Sequence, residues 1–299
     1  MMALSFDQLR DVIHDRYGVI DTICPLCSHL RKPANRRLKV FRAYREAPDF
    51  ISFHCAHCEA DGSASDRCGG NTSRPSSAEI EKIRADIAVR EAAHARFRLL
   101  TALALWRRRL EASPGTPPHA YLRGPRGYSG KIPATIGYLP ASREYPPAMI
   151  AAFGMARETE PGELVIDDAA IRGVHITSLK SDGSDKAGTD RDKKIIGRSI
   201  GSPIVLAPPN DGLGLAVCEG IEDGLSIFEA TGLGAWAAGS ASRLLALADA
   251  VPDYIDCITI VADADLAGQA NAQKLADALA RHPGEVRLIV PPQTQGAAA

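Results

Sequence analysis

The sequence has no G-x-x-x-x-G-K-[ST] run, so it carries no P-loop and no helicase motor of its own. It has no apolar stretch long enough to span a bilayer and no secretory leader. Those two absences exclude a membrane-spanning chain, and a cytoplasmic protein is expected. Cysteine is sparse, at seven residues in 299, and nothing in its placement suggests disulfides. Net charge is also missing: 35 Lys/Arg oppose 36 Asp/Glu, leaving −1. A polyanion would therefore be held with modest, salt-sensitive affinity. The charge is unevenly spread, however. Residues 206–299 hold four Lys/Arg and twelve Asp/Glu, a net −8, and residues 1–205 hold thirty-one and twenty-four, a net +7. Such asymmetry is a cue for nucleic-acid contact, with the acidic part holding metal and the basic part the polyanion.

Four of the cysteines are spaced for metal. Cys24–Pro25–Leu26–Cys27 and Cys55–Ala56–His57–Cys58 are two C-x₂-C knuckles with 27 residues between them. Paired knuckles present four thiolates for tetrahedral Zn²⁺, and a four-thiolate site has no open position, so the zinc is structural. The intervening segment holds Arg31, Lys32, Arg36, Arg37, Lys39 and Arg42, with Phe41, Tyr44, Phe50 and Phe53 interleaved. Cations for phosphates and aromatics for bases describe a single-strand binding surface. The competing reading puts the aromatics in a small core and leaves the charges solvated. Of the other cysteines, Cys68 falls in a polar tether, and Cys218 and Cys257 fall on expected core strands, where cysteine acts as a small apolar residue.

Three carboxylates near the other end form the second signal. The apolar run 213–218 ends on Glu219–Gly220, and the run 257–262 ends on Asp263–Ala264–Asp265. In a parallel α/β sheet, ligands gather at the carboxyl ends of strands. Crowded carboxylates resist ionising, and a divalent cation removes that conflict. The plainer alternative is that each acid caps the helix after it. The pattern predicts strands at 213–218, 234–237, 257–262 and 285–290, and helices at 221–231, 241–249 and 267–281. That alternation indicates a parallel sheet.

The middle is less legible. Residues 59–77 read as a tether. Ser76 and Glu79 have capping-box spacing and open a helix to about Leu110. Arg107–Arg108–Arg109 suits that helix's C-terminus better than a DNA site. A strand-like run covers Ile171–Leu179. Lys186, Arg191, Lys193, Lys194 and Arg198 either line a template or nucleotide groove or sit on a solvated loop.

Glu219–Gly220–Ile221–Glu222–Asp223 and Asp263–Ala264–Asp265–Leu266–Ala267–Gly268 resemble the two signatures of the toprim domain, and are most similar to its DnaG-like primase branch. The order of zinc ribbon, mixed basic domain and toprim resembles bacterial replicative primases and the primases of phages and mobile elements. The resemblance implies an N-terminal zinc ribbon (1–60), a mixed α+β middle domain (77–205) and a toprim domain with a Rossmann-like parallel sheet (206–292). It implies RNA primer synthesis in DNA replication, on single-stranded DNA from ribonucleoside triphosphates, beside a separate replicative helicase and away from membranes. Glu219, Asp263 and Asp265 would be catalytic and hold Mg²⁺ or Mn²⁺, with Asp223, Gly220 and Gly268 also at the cofactor. Two departures stand out. The loop between the knuckles is longer than usual, and the sequence ends six residues after Val290–Pro291–Pro292–Gln293, where such primases often continue into another Asp-containing motif. They leave room for a weakened or partner-dependent activity. The rival readings are a toprim nuclease and a non-catalytic, RecR-like DNA-binding mediator.

Overall fold

The computed structural model describes residues 4–31, 33–66, 77–189 and 191–291. Lys32, Cys68 and the capping residue Ser76 lie outside these. The chain forms two compact units, Met1–His94 and Ala95–Ala299.

In the first unit, Ser5 opens α1 (Phe6–Val12). Its hydroxyl accepts from the Gln8 N–H, and the Gln8 side chain accepts from the Ser5 N–H. β1 (Gly18–Thr22), β2 (Phe41–Ala47), β3 (Phe50–Cys55) and β4 (Asp61–Ser65) form an antiparallel sheet in that order. Side chains alternate across it, as the strand period requires. Phe41, Ala43, Ile51 and Phe53 join Phe6, Leu9 and Ile13 in the core, while Arg42, Tyr44, Phe50 and His54 are exposed. The Phe41 and Phe53 rings stack at 5.0 Å. Two of the four interleaved aromatics are therefore core residues, and two remain on the open face.

α2 (Ser77–Arg107) continues into the second unit. At its end Arg107 pairs with Asp168 at 2.7 Å, and the Arg109 guanidinium lies 3.7 Å from the Trp106 ring centre. Then come β5 (Leu110–Glu111), α3 (Pro117–Arg123), β6 (Ile136–Leu139), β7 (Ala148–Phe153), a hairpin of β8 (Arg157–Glu160) and β9 (Glu163–Val165), β10 (Gly173–Ser178) and β11 (Lys193–Gly197). Five of these strands make an antiparallel sheet in the order β11-β10-β7-β6-β5.

The rest of the unit alternates strands and helices: β12 (Ile204–Ala207), β13 (Gly214–Cys218), α4 (Ile221–Thr231), β14 (Gly234–Ala237), β15 (Cys257–Val261), α5 (Leu266–Ala278) and β16 (Glu285–Ile289). The sheet order is β12-β14-β13-β15-β16. β14, β13, β15 and β16 are parallel, and β12 is an antiparallel edge. The expected helix at 241–249 is instead two 3₁₀ segments, Ala241–Arg243 and Leu245–Ala250. Leu244 and Leu247 are both buried and three residues apart, which is the period of the tighter helix. Tyr121, Leu122, Met149 and Phe153 share one apolar cluster with Ile204, Leu206, Cys218, Ile221 and Leu225, which fixes the antiparallel sheet against the parallel one. Among the described residues no helix is long and apolar enough to cross a membrane.

Candidate metal centre and active site

The four knuckle cysteines converge, with all their sulfurs within 4.8 Å of one another. Cys24 and Cys58 are 4.0 Å apart, and Cys27 and Cys55 are 3.8 Å apart. A disulfide needs roughly 2 Å. A tetrahedron with metal–sulfur bonds of roughly 2.3 Å has edges of about 3.8 Å, so the cluster fits Zn²⁺. Burial pushes the Cys24 and Cys27 thiols up. Burial also raises Cys55, but the His57 and Cys58 N–H groups and the neighbouring thiols outweigh it and bring Cys55 down to about 7. His54 and His57 are exposed and lie outside this four-sulfur group.

The basic segment is only partly available to a ligand. Arg31 is 6% exposed and donates to the Leu38 carbonyl. It is therefore less open to a ligand than the exposed cations of the segment, and its buried Nε has no hydrogen-bond partner among the described residues. Arg42 is exposed but held bidentate by Asp21, at 2.7 and 2.9 Å. Arg36 is exposed while its Nε donates to the Arg31 carbonyl. Arg37 and Lys39 are exposed.

The acids are positioned by the parallel sheet. β13 and β15 are neighbours, with Val217 opposite Ile260. Glu219 follows the first strand and Asp263 the second. Gly220 is the N-cap of α4, and a Cβ there would strike the Asp223 carboxylate. Gly268 sits where a Cβ would come 2.7 Å from that of Asp263. Both glycines thus let an acid approach the backbone. Asp265 caps α5, accepting from the Gly268 N–H at 2.6 Å. The capping alternative therefore holds for one of its oxygens.

Burial and then the Asp263 charge push the Glu219 carboxyl up. Burial, then Asp223 and Asp265, push Asp263 up. Lys193 opposes both shifts. Among the described residues only the four cysteines bring three or more ligand atoms all within 4.8 Å. The acids leave a more open half-site, which suits Mg²⁺: that ion takes one or two carboxylates and completes its shell with water and phosphate oxygens.

Two cavities adjoin the acids. One, of 280 Å³, is lined by His175, Lys193, Glu219, Gly220, Gly239 and Ser240 among others. The second, of 470 Å³, includes Asp223, Asp263 and Asp265. A larger one of 660 Å³ includes Arg123, Lys131, Leu206 and Phe228. It lies by the end of β12 that pairs with the start of β14, away from the carboxyl ends of the parallel strands.

The comparisons with known proteins bear on this region. Residues 214–297 match the Toprim domain. The chain carries a toprim domain. Residues 97–206 match a domain of unknown function (DUF7146). The crystal structure of the primase fragment of the bacteriophage T7 primase-helicase protein is similar at 16% identity, covering 92% of this chain and 91% of that one, with a TM-score of 0.35. No curated protein matches the chain.

Beside the toprim acids stand groups that the sequence left ambiguous or silent. Lys193, on the edge strand β11, is the member of the basic 186–198 segment that lines the Glu219 cavity. His175, on β10, is 3% exposed and lines the same cavity. A lone histidine inside the apolar Ile171–Leu179 run was the available signal. Burial, with Lys193 and Arg243 nearby, pulls its imidazole down to about 4. Glu222 accepts a hydrogen bond from the Tyr121 hydroxyl at 2.8 Å. Burial raises its carboxyl, but Lys193, its own backbone N–H and Tyr121 outweigh that and leave it below the ordinary value.

Proposed function

We propose that the chain is a DNA primase that makes short RNA primers on single-stranded DNA. The observation that carries this reading is the toprim constellation: Glu219 and Asp263 at adjacent strand ends, with carboxyls raised by burial and by neighbouring acids, facing the Lys193 ammonium. In the proposed step a primer 3′-hydroxyl oxygen bonds to the α-phosphorus of a ribonucleoside triphosphate. The bond to the β-phosphate oxygen breaks, and pyrophosphate leaves with the electron pair. Glu219, whose carboxyl is raised by burial and by the Asp263 charge, is the group that accepts the hydroxyl proton. Lys193 neutralises phosphate charge. Glu219, Asp263 and Asp265, with Asp223 beside them, would hold Mg²⁺ or Mn²⁺, which would supply charge stabilisation at the phosphate oxygens.

In this reading structural Zn²⁺ on Cys24, Cys27, Cys55 and Cys58 holds the N-terminal sheet. Arg36, Arg37 and Lys39, together with exposed Tyr44 and Phe50, grip the template. A separate replicative helicase opens the duplex, and the work is cytoplasmic. Incubation with single-stranded DNA, labelled ribonucleotides and Mg²⁺ or Mn²⁺ tests the proposal. Ladders of short RNA support a primase. Shortened template without ladders supports a toprim nuclease, and a gel shift alone supports the RecR-like mediator.

A further inference from the structure

Glu222 sits beside Asp223 in the first turn of α4 yet serves a different neighbourhood. Its side chain is 14% exposed. One carboxylate oxygen accepts from the hydroxyl of Tyr121, a fully buried residue on α3. That hydroxyl in turn accepts from the Arg126 Nε at 2.9 Å. The other carboxylate oxygen is 4.0 Å from the Lys193 ammonium. Lys193 stays 45% exposed and lines the cavity that contains Glu219.

We infer that Glu222, clamped by Tyr121 and Arg126, is a positioning residue that holds the Lys193 ammonium over the toprim cavity to meet the phosphates of an incoming nucleoside triphosphate. The inference rests on the nucleotidyl-transfer reading above. Three features favour it over a plain structural ion pair. A nearly buried carboxylate is costly, and a fold gains little from one that an apolar group could replace. The clamp leaves one oxygen directed to Lys193, and that contact is at the outer limit of an ion pair, so the ammonium keeps donors free. Lysine is also a point charge on a flexible four-carbon stem, so an anchor behind it lowers the ordering cost of meeting phosphate.

The test is a double-mutant cycle on the full chain, read by equilibrium dialysis of ATP with Mg²⁺. Melting temperatures establish that each variant is folded. Lys193→Ala should weaken binding. Glu222→Gln keeps the shape and an acceptor for Tyr121 but removes the charge, and should weaken binding about tenfold, within the range of coupling between contacting residues. In the Lys193→Ala background Glu222→Gln should cost nothing further. Tyr121→Phe, which leaves every charge in place, should give a smaller loss that also vanishes in that background, and it carries the cycle should Glu222→Gln not fold. An undiminished affinity in Glu222→Gln, or an equal loss with and without Lys193, overturns the inference while leaving nucleotidyl transfer standing. A parent chain that binds no ATP with Mg²⁺ overturns both.

Discussion

Asp263 and His175 lie in one unit and titrate in opposite senses. Asp263 binds its proton more tightly in the fold than at its ordinary value of 3.8, chiefly through burial and the nearby acids. Below that value its ionisation costs the fold nothing. The penalty develops as pH rises and is complete above the raised folded value. Asp263→Asn escapes the penalty, so at pH 7 the metal-free variant should melt no lower than the parent. Primer synthesis should fall on the order of a hundredfold, since charge stabilisation by a metal is commonly worth several kcal/mol. Melting curves in chelator and primer yields in Mg²⁺ check the two halves, and a folded variant with full synthesis removes Asp263 from the metal site. His175 runs the other way. Its folded value of about 4 lies below the ordinary 6.5, so its contribution is whole above 6.5 and is lost as pH falls toward 4. Burial first, and then Lys193, Arg243 and Lys186, disfavour the charged ring, and Glu222 favours it. Between pH 7.5 and 5 this amounts to about 2 kcal/mol. Urea midpoints of the parent and His175→Gln at both pH values isolate it, because the other titrations are common to both chains. A parent and variant with the same pH slope refute the assignment.

At the scale of elements, β13 and β15 of the parallel toprim sheet were readable because each is a short apolar run that leads into an acid. The antiparallel edge β12 was not, since Ile204–Ala207 is buried whole and offers no alternation. β7, Ala148–Phe153, was hidden for the same reason. In the N-terminal sheet the evidence was present but underused. Period two along β2 already separates Phe41 and Ala43 from Arg42 and Tyr44, which is the division the structure shows. That sheet buries a small core that takes in Cys24, Cys27 and Cys55, and structural zinc contributes folding free energy directly. Cys55→Ser should therefore lower zinc content and melt the β1–β4 sheet while the toprim transition stays in place. Metal analysis with two-probe thermal unfolding checks this. Undiminished zinc stoichiometry in the variant rules Cys55 out as a ligand.

For the whole molecule, charge is divided along the sequence, a net +7 in residues 1–205 and −8 in 206–299. The placement of the acids at two neighbouring strand ends was legible because each follows an apolar run. The binding surface was not, because a basic residue reads the same in sequence whether it is free or already engaged. Arg31 is buried and Arg42 is paired with Asp21, whereas Arg37 and Lys39 are exposed. That difference sharpens the last prediction. If the outer part of this segment meets single-stranded DNA, each cation lost should remove about 0.7 from the slope of log affinity against log salt. Arg37→Ala with Lys39→Ala should then flatten the slope by roughly 1.4 and weaken binding most at low salt. Arg31→Ala should act differently, lowering the melting temperature of the N-terminal sheet through lost packing rather than through lost phosphate contact. Fluorescence anisotropy on an oligonucleotide across a salt series, with melting curves beside it, separates the two effects. A double variant that keeps the parent's slope means that the segment is a solvated excursion and that the template is held elsewhere.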